Sequence, residues 1–125
     1  MKNVISYEVN DSFTSGTSLQ GYLYGKKYDD LIRLLGEPTH READPYEKVQ
    51  VEWCLKVKAH PFFQEDDYDP SSDYDIEEVT IYNWKTQCVP LDEYDWHIGG
   101  NSYLAKELLD EIFERDMKPE HNYND

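Results

Sequence analysis

The sequence predicts an α+β fold, a small antiparallel β-sheet with two helices packed on one face. Two segments carry apolar residues at helical spacing: Tyr28, Leu31, Ile32 and Leu35, then Leu104, Ala105, Leu108, Leu109, Ile112 and Phe113. Between them Val49–Val57 alternates, with Val49, Val51, Trp53, Leu55 and Val57 on one face and Gln50, Glu52, Cys54 and Lys56 on the other. The length of 125 residues suits one domain, residues 1–125.

Residues 1–16 read as polar, and Thr17–Tyr24 reads as a short extended segment. The first helix follows Gly25. Asp29 and Asp30 suit its positive N-terminal end, Arg33 lies nearer its negative end, and Gly36 with Pro38 stops it. His40–Glu47 is a polar loop, and the alternating strand comes next. An acidic loop occupies about residues 61–75. Ile76–Lys85 is a second long strand, antiparallel to the first, with both faces partly apolar, so its buried side stays open. Tyr94, Trp96 and Ile98 mark a third strand. Gly99-Gly100 reads as a turn, and Asn101 or Ser102 as the cap of a helix running from Tyr103 to Asp116. Pro119 ends that helix, and residues 119–125 are expected to fray. Trp53, Leu31, Leu35, Leu108, Ile112 and Phe113 are expected to share the core.

Charge is distributed very unevenly. The formal net charge is −15, yet residues 1–62 carry nine acidic and eight basic side chains, whereas residues 63–125 carry 18 acidic and four basic. Such a field repels nucleic acid and anionic membranes and attracts basic surfaces. Two carboxylate groups stand out. In the loop, Glu65, Asp66, Asp67, Asp69, Asp73, Asp75, Glu77 and Glu78 fall within 14 residues without a Lys or Arg, and Tyr68 and Tyr74 supply flat anchors among them. On the last helix Glu107, Asp110, Glu111 and Glu114 follow i, i+3, i+4, i+7 opposite the apolar face. At ~1.5 Å rise per residue this gives about one charge per 3 Å, near the phosphate spacing of a nucleic acid strand. The plainer reading of both groups is a solvated surface that keeps a small domain soluble.

Asp67, Asp69, Ser71, Asp73, Asp75 and Glu78 also match the ligand spacing of a calcium loop over residues 67–78. Ser72 stands where that loop needs glycine, Pro70 intrudes, and a strand follows instead of a helix. No metal site is therefore expected. His40, His60, His97 and His121 are scattered without paired spacing, no GxSxG occurs, and the chain carries no enzyme or cofactor signature. Cys54 and Cys88 form no metal motif or disulfide framework. With no signal-peptide-like N-terminus and no membrane-length apolar run, a cytoplasmic protein is expected.

The series FTSGTSLQGY, YDDLIRLLGEP, VEWCL, VTIYNWK and YDWHIGGNS, spanning about residues 13–115, resembles small acidic proteins encoded by tailed bacteriophages. Its helix-GEP-strand-strand portion is also similar in pattern to small outer-membrane assembly lipoproteins and beta-lactamase inhibitor proteins. The phage resemblance implies origin and fold; it carries over no catalytic residue. Joined to the charge, it leads to an expected function: a non-enzymatic inhibitor that binds a host nucleic-acid-handling or defence protein through an acidic, DNA-mimic-like surface. The residues expected to make contact are Glu65, Asp66, Asp67, Tyr68, Asp69, Asp73, Tyr74, Asp75, Glu107, Asp110, Glu111 and Glu114. The alternatives are a modulator of host transcription or replication machinery and, from a different class, a calcium-binding module at residues 67–78. Monomer and homodimer both fit, and a dimer would use the near-neutral half, around Thr17–Tyr24, because the acidic halves repel.

Overall fold

A computed structural model of the chain describes residues 3–12, 16–60 and 74–125. In chain order it contains β1 (Val4–Val9), β2 (Ser18–Lys26), α1 (Tyr28–Leu35), β3 (His40–Arg41), β4 (Val51–Ala59), β5 (Asp75–Tyr82), β6 (Tyr94–Gly100) and α2 (Leu104–Glu114). The strands form one antiparallel sheet in the order β1-β4-β5-β6-β2, and β3 pairs with the start of β4. The expected α+β architecture is thus present.

Strand alternation sorts the sheet into two faces. Val51, Trp53, Leu55, Val57 and Ala59 of β4 are buried on one side. Across the ladders they meet Val79 and Ile81, then Trp96 and Ile98. Leu31, Leu34 and Leu35 of α1 and Ala105, Leu108, Leu109 and Ile112 of α2 join the same core. Trp53 packs edge-on against Trp96, with ring centroids 5.9 Å apart, and its indole N–H donates to the Gly36 carbonyl at 3.0 Å, tying β4 to the end of α1. The expected core is largely present; Phe113 packs against it half-buried.

Four expectations need correction. Residues 4–9 are a strand, β1, paired with β4; a register shift between Val4 and Ser6 breaks the alternation that would have announced it. Gly99 and Gly100 are no turn but the buried end of β6. A Cβ on Gly99 would stand 2.3 Å from the Thr80 hydroxyl, and one on Gly100 2.5 Å from Ala105 Cβ, so these glycines let β5 and α2 approach. Residues 119–125 do not fray. Asn122 forms a parallel bridge with Val9, and Tyr123 N–H donates to the Val9 carbonyl at 3.0 Å. The Asn122 amide donates to the carbonyls of Leu35 and Glu37, both at 2.8 Å. Finally, Glu111 lies inside, as described below.

Candidate functional site

The side of the sheet away from the helices carries the most unusual surface among the described residues. The ladder registers align His40 of β3 with Glu52 of β4, Glu52 with Tyr82 of β5, Tyr82 with His97 of β6, and His97 with Tyr22 of β2. One row thus crosses five strands, about 19 Å at ~4.8 Å per strand. Its rings touch: Tyr22 meets His97 edge-on at 5.0 Å between centroids, and Tyr82 lies 5.4 Å from His97. Trp84, just past β5, stands 6.2 Å from Tyr82 and 6.3 Å from His97. Tyr22, Tyr82 and His97 are half-buried against one another, while Trp84 is 39% exposed. By contrast Trp53 and Trp96 are fully buried.

A buried polar network holds the rim of this row. Asn83 accepts the backbone N–H groups of Gln50 (2.9 Å) and Val51 (3.1 Å) on its side-chain oxygen, and its amide donates to Gln50 Oε1 (2.6 Å) and Thr86 Oγ1 (2.7 Å). All its hydrogen-bonding capacity is used, so the 83–86 turn is fixed onto the start of β4. Lys85, at φ 56°, and Lys48 then bring their ammonium groups to 5.8 and 5.7 Å from the centroid of the Trp84 ring. Trp84 N–H donates to the Tyr94 hydroxyl at 3.2 Å, which lies 3.5 Å from His97 Nδ1.

Burial tunes the titratable members. It pushes the Glu52 carboxyl above the usual carboxylate range, partly offset by the Cys54 thiol donating to it. It lowers His97 below the ordinary imidazole value. Tyr82 is raised, by burial first and then by the nearby Glu52 carboxylate and the hydroxyls of Tyr22 and Tyr94. Among the described residues no Lys or Arg bridges Glu52. Beside it opens a groove of about 470 Å³, lined by His40, Tyr46, Glu47, Lys48, Val49 and Glu52. Glu52 and His97 are two strands apart, about 10 Å at normal strand spacing, too far to exchange a proton directly.

The residues that the sequence marked for partner binding are scattered. Glu65, Asp66, Asp67, Tyr68, Asp69 and Asp73 lie outside the described residues. Tyr74 is exposed, but the Lys58 ammonium already sits 4.1 Å over its ring. Asp75 opens β5 opposite Ala59. It and Glu78, three residues apart in a strand, point to opposite faces, so these two cannot converge on a calcium ion. No group of three His, Cys, Asp or Glu among the described residues is arranged to hold a metal.

The helix array also loses its regularity. Glu107 and Glu114 are exposed. Asp110 pairs with Lys106 at 2.9 Å. Glu111 is buried, not on the outer face: its carboxylate accepts the N–H groups of Asn3 (2.7 Å) and Val4 (2.6 Å) and pairs with Arg115 at 2.7 Å. It holds the start of β1 against α2 and is unavailable to a partner. The phosphate-like spacing expected along α2 is therefore absent. The proposed self-contact around Thr17–Tyr24 falls on an edge strand, β2, whose ladder shifts register twice and whose Tyr22 carbonyl accepts from Lys106 Nζ at 3.1 Å. Such interruptions discourage strand-to-strand pairing.

Sequence reasoning missed the aromatic row because it is spread over five strands and its members align only through register. The one local signal was the half-apolar second face of residues 76–85. No helix is long and apolar enough to cross a membrane. In comparisons with known proteins, the chain matches no protein-family model, no curated protein and no solved structure.

Proposed function

We propose that this chain is a non-enzymatic binding protein that docks on a basic surface of a protein partner through the helix-free face of its sheet. The observation that carries this reading is the Glu52–Tyr82–His97–Tyr22 row with Trp84 at its rim, a semi-exposed aromatic platform on a chain of net charge −15. Aromatic anchors concentrate binding energy at protein interfaces, and the chain's net negative charge accelerates encounter with a basic partner. The resemblance to small acidic phage proteins makes a host nucleic-acid-handling or defence protein the partner class, with occlusion of its basic surface as the mechanism. DNA mimicry in the strict sense is the weaker form, since α2 retains only Glu107 and Glu114 as exposed, unpaired carboxylates of its four.

The test is affinity capture from host lysate with the wild-type chain and with a Tyr22→Ser, Trp84→Ser double variant. A basic protein retained by the wild type, released by salt and lost with the double variant supports the reading. Retention that is indifferent to both changes contradicts it. Salt should act mainly on association, because exposed charges are screened beyond ~8–10 Å near physiological ionic strength.

A further inference from the structure

We infer that the Glu52 end of the aromatic row, with the groove beside it, is a receptor for an arginine side chain presented by a basic segment of the partner protein. The inference rests on the docking role proposed above and names the chemistry recognised there.

Three features of the site select a guanidinium. Glu52 is a half-buried carboxylate that no Lys or Arg neutralises among the described residues. A carboxylate in this setting gains most from a planar, bidentate donor, and guanidinium is the least strongly hydrated of the protein cations. The groove at Glu52 is also lined by Glu47 and Tyr46, beside Lys48 and His40, and its volume of about 470 Å³ is ample for one side chain. Next to Glu52 across the ladder lies Tyr82, followed at the rim by Trp84, rings on which a guanidinium can stack.

The chain's own cations show how this end behaves. Lys48 and Lys85 both reach toward the Trp84 ring, so that ring already draws positive charge. They occupy the ring without bridging Glu52. An incoming arginine would displace an ammonium from the ring while bonding the carboxylate. The two lysines are therefore competitors in this account. If the occupant were instead a single-stranded nucleic acid, stacking on the same rings, the same lysines would be contributors. The sign of their effect separates the two.

The probe is a nona-arginine peptide, followed by the indole N–H resonance of Trp84 and the imidazole resonances of His97 at low ionic strength. A nona-citrulline peptide, isosteric but uncharged, and an oligothymidylate serve as comparators. The nona-arginine peptide should move both signals, and the comparators should not. Glu52→Gln should weaken it about tenfold, the equivalent of one charge-assisted contact, and Trp84→Leu should weaken it as well. Lys85→Ala should tighten it.

Several results would overturn the inference. One is peptide binding that moves only α2 resonances near Glu107 and Glu114 and ignores Glu52→Gln. The wider docking role then survives if capture still fails in the Tyr22→Ser, Trp84→Ser variant. Another is oligothymidylate moving the Trp84 and His97 signals with Lys85→Ala weakening it, which would make the face a nucleic-acid platform and remove both proposals. Absence of any peptide binding at low salt also refutes the arginine receptor. Unfolding is checked by the dispersion of the Trp53 and Trp96 indole signals, which report the core in every variant.

Discussion

Replacing Glu111 distinguishes a structural carboxylate from a surface charge. Its two oxygens accept the amides of Asn3 and Val4 and pair with Arg115, and its side chain is only 9% exposed against 34% for Arg115. Glu111→Ala leaves two backbone donors without that acceptor and takes the carboxylate from the Arg115 guanidinium, which keeps its bond to the Val4 carbonyl. An unsatisfied buried donor costs ~1–3 kcal/mol, and breaking a buried ion pair by removing one partner costs ~3–5 kcal/mol. These costs overlap, because the half-exposed Arg115 can turn to water, so the expected loss is about 3–5 kcal/mol in total. That is a large share of the ~5–15 kcal/mol that stabilises a typical domain. Glu111→Gln keeps the shape but turns an NH₂ toward an amide, and should lose about 1–3 kcal/mol. Glu107→Gln and Glu114→Gln should stay within ~0.5 kcal/mol. Urea unfolding with linear extrapolation measures all four. The Asn3 and Val4 amides should also lose hydrogen-exchange protection in Glu111→Ala. If Glu111→Ala behaves like Glu107→Gln, the carboxylate does not hold β1 and the assigned bonding is wrong.

Other consequences are equally direct. Gly100→Ala places a methyl against Ala105 and should destabilise by about 1–3 kcal/mol through overpacking, seen as a lower urea midpoint; no change would mean α2 sits farther from β6. Leu108→Ala should cost about 2–5 kcal/mol, and a loss near zero would mean α2 is not docked as described. Glu52 has its folded pKa raised, so the native state binds its proton more tightly than the unfolded chain. Its favourable contribution is present below about pH 4.5 and lost as pH rises through the folded value. Glu52→Gln should therefore raise the thermal midpoint at pH 7 relative to wild type and lose that advantage near pH 4; a lower midpoint at pH 7 would refute the burial argument. His97 has its folded pKa lowered, so stability should be full above about pH 6.5 and decline as pH falls through the folded value. An NMR titration placing the His97 midpoint above 6.5 would contradict this.

What the sequence showed and what it hid follow from the range of the interactions. β4 was legible because its alternation is local and one of its faces is wholly apolar. α2 was legible as an amphipathic helix, yet Glu111 was misplaced. It sits between the flank of the apolar stripe and the polar face, and what draws it inside is a pair of amides 107 and 108 residues away. β1 was hidden by its bulge, and the C-terminal tail by its polarity, since Asn122 and Asn124 bond to backbone carbonyls of Leu35, Glu37 and Asn10 instead of to water. Gly99-Gly100 has the composition of a turn, but its smallness serves contact with Thr80 and Ala105. The aromatic row could not be read at all without the registers of four ladders. Predicted interaction residues came from charge density along the chain, a local property, whereas the candidate surface is a property of strands laid side by side.

The docking claim is tested most directly by footprinting the complex with its basic partner by hydroxyl-radical labelling. Binding through the helix-free face predicts that Tyr22, Tyr82, Trp84 and His97 lose reactivity on complex formation, while exposed Tyr103 at the start of α2 keeps it. Unchanged labelling of the four rings, with protection moved to Tyr103 and the α2 surface, would contradict the account.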